Sequence, residues 1–130
     1  MRLGFIHFAF LGPESFLAAE ASECAGEQDA FWAYHNGLFA AQTAGNGAFS
    51  QENLVSLAAE LGLNQRDFED CLDSGRHSEF VREQTSIAQS MGVRSTPAFL
   101  INGQPIVGAQ PFEAFQQVIE SQLATAAGGN

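Results

Sequence analysis

STPAFLING, residues 95–103, joins a Thr96-Pro97 step, the apolar run Ala98–Ile101 and an Asn102-Gly103 turn. Asn-Gly between two apolar runs is the strongest short-range hairpin signal, because both residues tolerate the positive φ that a tight turn demands. Gln104–Val107 supplies the returning run, so residues 97–107 are expected to form a β-hairpin. Further on, Pro111 suits the first position of a helix over 111–123, whose Phe112, Phe115, Val118, Ile119 and Leu123 recur on one face. ATAAGGN, residues 124–130, reads as a flexible tail.

On the other side of the hairpin, residues 14–92 read as helices in succession. Glu14–Gln28 is rich in Ala with an acid in its first turn, and Asp29 to about Gln42 carries Phe31, Tyr34, Leu38 and Phe39 at helical spacing. TAGNGAF, 43–49, is a loop. Ser50 caps a helix bearing Leu54, Leu57, Ala58 and Leu61 that Gly62 ends, and Asn64 caps another with Phe68, Cys71 and Leu72, closed by Ser74-Gly75. A further helix runs from about Ser78 to Met91, with Phe80, Ile87 and Met91 expected to face inward. Ahead of the helices, LGFIHFAFL (3–11) does not alternate with polar residues, so residues 2–11 are expected to be a strand buried on both faces. The run is too short to span a bilayer, and with only Arg2 ahead of it a signal peptide is the weaker reading. Neither a repeat nor a linker divides the chain.

At 130 residues the chain is one domain in size, enough to bury roughly two thirds of the surface that its unfolded form exposes. Five Lys plus Arg against fifteen Asp plus Glu leave a net charge of −10, which repels phosphate backbones and anionic membranes alike. Nucleic acid and membrane are therefore not expected partners.

The order strand, helical block, hairpin, helix, together with SFLAAEASECAGEQDAFWAYHNGLFA, LAAELGLNQRDFEDCLDSG and GVRSTPAFLINGQPIVGAQPFEAF, resembles the thioredoxin-fold proteins of the DsbA type from residue 3 to about residue 123. The resemblance implies an α/β, truncated thioredoxin-like fold: a short sheet of about three strands, with 14–92 as an inserted helical domain. It also implies that Thr96-Pro97 is the loop whose proline is cis in that family and which faces a reactive Cys-x-x-Cys. This sequence contains no Cys-x-x-Cys, and the strand and helix that carry it in the family have no match here. The strand matching 2–10 and the one matching 97–101 would then lack a neighbour, and such edges invite pairing, so a homodimer is expected. With Met1 as the start the expected location is cytoplasmic, although the resembled family is mostly exported.

Cys24 has Glu20, Glu23 and Glu27 within a turn, and Cys71 lies between Asp70 and Asp73; negative neighbours raise a thiol pKa, so both are expected to be poor nucleophiles. Buried free thiols and a structural disulfide both fit them, and the resembled family often carries such a second bridge. His7, His35 and His77 show no ligand spacing among themselves or with Cys, so no metal site and no cofactor are expected. His7 reads as a core histidine that must find a hydrogen bond. The aromatic residues read as packing, with Phe5, Phe8, Phe99, Phe31 and Trp32 set to form an apolar patch if exposed. Glu52, Glu60, Asp67 and Asp70 look like solvated helix faces. What remains is Ser95, Thr96 and Pro97, whose backbone suits an extended peptide. The expectation is a redox-inactive module that binds peptide or protein segments there. The alternative is a thiol-disulfide oxidoreductase, or a glutathione-transferase- or isomerase-like enzyme, whose N-terminal catalytic segment is missing or supplied by a partner.

Overall fold

The structure is a computed structural model that describes residues 1–42, 45 and 47–128. Its elements are α1 (Pro13–Gly26), α2 (Phe31–Ala41), α3 (Gln51–Glu60), α4 (Gln65–Ser74), α5 (Ser78–Ser90), β1 (Ala98–Ile101), β2 (Gln104–Val107) and α6 (Phe112–Gly128). They fall into two compact units, Met1–Ala88 and Gln89–Asn130.

The first unit is built on small residues. Ala18, Ala21 and Ala25 of α1 let α2, α3 and α4 approach closely, and Tyr34, Leu54, Val55, Ala58, Phe68 and Leu72 fill the space between. Tyr34 is fully buried with its hydroxyl donating to the Leu54 carbonyl at 2.8 Å, and burial pushes its pKa well up. Gly37 is where α2 meets α3: a Cβ there would stand 2.9 Å from Leu57 Cδ1, closer than packed carbons lie. Caps close the helices as the sequence leads one to expect. Ser50 Oγ accepts from Asn53 N at 3.3 Å, Asn64 Oδ1 from Asp67 N at 3.0 Å, and Gly75 takes the left-handed conformation after α4. Asp29, at φ 58°, marks a turn that separates α1 from α2, where the sequence pattern runs the second helix from Asp29.

Residues 2–11 depart from expectation. They form no strand among the described residues, and only His7 is buried, whereas Leu3, Ile6 and Leu11 are more than half exposed. Strand character requires a partner's backbone, and here side chains of α5 take its place: Gln84 Oε1 accepts from His7 N at 2.8 Å and Thr85 Oγ1 from Ala9 N at 3.2 Å. That arrangement also corrects the inward face of α5. Val81 and Ala88 are its buried residues, while Phe80, Ile87 and Met91 are exposed, because the face that grips residues 7–9 is set by 81, 84, 85 and 88. Thr43, Ala44 and Asn46 of the expected loop lie outside the described residues; Ala48 and Phe49 lie in a turn.

The second unit pairs β1 with β2 antiparallel, Ala98 opposite Val107 and Ile101 opposite Gln104. The turn between them has Asn102 at φ 48° and Gly103 at φ 87°, the two positive values that Asn-Gly accommodates. Among the described residues the sheet has these two strands, in place of about three. Phe99 of β1 packs edge-on against Phe115 of α6, ring centroids 4.8 Å apart. The helix face is Ala114, Phe115, Val118, Ile119 and Gln122, all partly buried, with Phe112 and Leu123 exposed. α6 continues through Gly128, so residues 124–128 are helical and not a tail, since Ala-rich sequence prolongs a helix already started; the tail's last two residues lie outside the described ones.

Candidate functional site

Ser95, Thr96 and Pro97 form an exposed approach to β1, and the Thr96-Pro97 peptide bond is cis. The Pro97 carbonyl accepts from Gly108 N at 2.8 Å, which extends the ladder of the hairpin one residue past its strands. Among the described residues β1 pairs with β2 alone in this sheet. Strand backbone can hold an extended segment by strand addition.

A second grouping joins α1 to α4. Cys24 and Cys71, 47 residues apart in sequence, are linked by a disulfide with Cα atoms 5.8 Å apart, and each is 1% exposed. The helices that carry them are also pinned at their ends: Asn64 N donates to Gln28 Oε1 at 2.8 Å, and Gln28 Nε2 donates back to the Asn64 carbonyl at 3.2 Å. Beside the sulfurs stands His77, whose ring nitrogen and the two Sγ atoms all lie within 4.8 Å of one another. His77 Nε2 meets Glu27 Oε1 at 3.0 Å, and Arg76 donates to the same carboxylate from Nε at 2.9 Å and from a terminal nitrogen at 2.5 Å. These donors, Arg76 first, hold Glu27 below the usual carboxylate range. Sequence spacing excluded a ligand set for the histidines; the fold brings one to the cysteines through the turn after Gly75.

A third grouping surrounds His7. Its Nε2 meets Glu23 Oε1 at 2.7 Å, the hydrogen bond that a core histidine requires. Phe5, Phe31, Trp32 and His35 pack ring to ring beside it, with Phe5 and Trp32 partly open to solvent. Phe5, Glu23, Gly26, Glu27, Phe31, Trp32 and His77 line an open cavity of about 440 Å³. Glu20, buried on α1 nearby, has its pKa raised by that burial, with Arg82 and His77 acting the other way. Glu52, Glu60, Asp67 and Asp70 are exposed on their helices, and at Arg76 the Glu27 hydrogen bond, with help from the charge of Asp70, raises the guanidinium pKa; Phe8 packs on Phe10, and Phe99 belongs to the hairpin. Among the described residues no helix is long and apolar enough to cross a membrane.

Comparison with known proteins brings the groupings into a family context. Residues 3–120 match the DSBA-like thioredoxin domain. The probable disulfide bond formation protein D of Bacillus anthracis is 27% identical over 128 residues, 95% of this chain and 58% of that protein. The Na(+)/H(+) antiporter NhaA of Herminiimonas arsenicoxydans is 33% identical over 109 residues, 84% of this chain but 17% of the antiporter. The chain thus spans about a sixth to somewhat over half of the curated relatives it matches. Among solved structures, a thioredoxin-like oxidoreductase from Silicibacter pomeroyi DSS-3 superposes with a TM-score of 0.73 at 19% identity, covering 91% of this chain and 66% of that one. That likeness shows the fold to be thioredoxin-like. The expectation of a non-catalytic binding module is overturned, because the relatives matched along almost the whole chain are disulfide bond formation proteins. Absence of a Cys-x-x-Cys from these 130 residues does not carry that expectation, because the chain spans 58% of such a relative's length.

Proposed function

This chain belongs to the DSBA-like thioredoxin domain family, and from that premise we propose that it serves thiol-disulfide exchange as part of an oxidoreductase. The observation that carries the reading is the match to disulfide bond formation proteins along 95% of the chain. In such exchange a thiolate attacks one sulfur of a substrate disulfide, the other sulfur leaves as a thiolate, and a second thiol resolves the mixed disulfide. These 130 residues hold no Cys-x-x-Cys, so in this reading the exchanging pair comes from polypeptide outside them. What the chain contributes is the substrate side. Ser95, Thr96 and Pro97, exposed at the head of β1, would take the substrate backbone alongside the strand edge. Their place in the stretch that resembles the family's loop is what supports this role.

No transport role is proposed from the antiporter relatives, of which the chain matches 17%.

The test is insulin reduction by dithiothreitol in the presence of the complete gene product that carries these residues. Acceleration over dithiothreitol alone is expected, and replacing the exposed Thr96 with Arg should lower kcat/KM roughly ten- to a hundredfold, the size of loss that a misplaced substrate produces. No acceleration, or a Thr96→Arg protein as active as the unaltered one, would reject the reading.

A further inference from the structure

We propose that Cys24, Cys71 and His77 form a redox-gated metal site, closed while the disulfide stands and able to take a zinc-like divalent transition-metal ion once it is reduced. Three ligand atoms of the right kind already lie within 4.8 Å of one another. Thiolate and imidazole are the donors that zinc and cobalt prefer over oxygen-seeking calcium or magnesium. In a tetrahedral site with metal-sulfur bonds near 2.3 Å and metal-nitrogen bonds near 2.0–2.1 Å, donors stand roughly 3.3–3.8 Å apart. The imidazole therefore needs to shift by only about an ångström once the sulfurs are free to part. The inference is independent of the exchange reading, since it concerns residues remote in sequence from Ser95–Pro97.

Two features of the surroundings point the same way. His77 Nε2 faces Glu27 Oε1 at 3.0 Å; donating its proton there leaves Nδ1 with a lone pair, and a carboxylate behind the imidazole is how metal-bound histidines are commonly oriented. Arg76 in turn fixes Glu27 with two hydrogen bonds, so the carboxylate is held in place as a positioning group. The second feature is charge. Two thiolates at positions 1% exposed are costly without a cation, and Arg76 is committed to Glu27. A divalent ion neutralises both. The cavity that Glu27 and His77 line opens on the imidazole side of the group.

The redox step balances as thiol-disulfide exchange. A dithiol reductant closes to its own disulfide, passing two electrons and two protons to Cys24 and Cys71, whose S–S bond breaks to give two thiols. Metal binding then releases both thiol protons to solvent. The two helices stay together because the core around Ala21, Ala25, Phe68 and Leu72 and the Gln28–Asn64 bonds do not depend on the bridge.

The experiment is a cobalt(II) titration of the full chain, oxidised and after reduction with a water-soluble phosphine, itself converted to the phosphine oxide with oxygen from water. The reduced chain is expected to bind one equivalent with a thiolate-to-cobalt charge-transfer band that zinc(II) abolishes, and the oxidised chain to show none. His77→Ala should weaken binding at least tenfold with the band reduced, His77→Cys should restore it, and Glu27→Gln should weaken it by about tenfold with the band unchanged in form, as loss of a histidine's carboxylate partner does. Circular dichroism follows the helices throughout. Absence of the band in the reduced chain, a His77→Ala chain that binds as tightly as the original, or loss of helical signal on reduction that cobalt(II) does not reverse would each overturn the proposal.

Discussion

Glu27 receives both Arg76 and His77, and its pKa is held below the ordinary 4.5 chiefly by the Arg76 hydrogen bonds. A carboxyl depressed in the folded chain stabilises it above its unfolded pKa and loses that contribution as pH falls through the folded value. Glu27→Gln should therefore melt below the original at pH 7, with the difference shrinking as the pH is taken below 4.5; a difference that stays constant from pH 7 to pH 3 would show that the carboxylate's charge is not what matters. Glu20 works in the opposite direction, since burial raises its pKa, so its ionisation weakens the fold as pH rises through that raised value. Neither behaviour was legible in the sequence. Glu20 sits on α1 and Glu27 caps its end, both among similar acids, and which of them meets a cation depends on where the turn after α4 places Arg76 and His77.

At the level of elements, local signals were sufficient wherever an element satisfies its own backbone. Ser50 and Asn64 cap helices by bonding amides three residues on, and Asn102-Gly103 closes its hairpin, because each needs only its near neighbours in sequence. The apolar segment 3–11 failed that test: its composition suits a strand, but a strand exists only with a partner, and the amides of His7 and Ala9 go instead to Gln84 and Thr85. Those contacts lie 76 and 77 residues away in the chain, beyond any pattern of local periodicity. Removing one is expected to act on that segment alone. Gln84→Ala should speed amide hydrogen exchange at His7 roughly fivefold, the equivalent of about 1 kcal/mol for one hydrogen bond. Exchange at His7 that is unchanged by NMR would mean that its protection comes from burial and not from Gln84.

For the whole molecule, the sequence carried the family and the order of the helices and the hairpin, but not the loss of the strand expected at 2–11. It did not carry the Cys24–His77 grouping, because proximity between α1 and the turn after α4 is a product of packing through Tyr34, Phe68 and the alanines of α1. The disulfide itself contributes to global stability by closing a long loop in the unfolded chain. For a sequence separation of 47 residues the loop-closure term is on the order of 4 kcal/mol, so the double replacement Cys24→Ser with Cys71→Ser should lower the unfolding free energy by an amount of that order in urea titration. A loss under about 1 kcal/mol would indicate that the unfolded chain is already held compact in that region. The same bridge bears on how the protein survives cleavage. A protease that cuts once anywhere between Cys24 and Cys71 severs no more than the main chain, for the two fragments remain fastened through sulfur, and the wounded protein would still travel as one molecule until a reductant reached it.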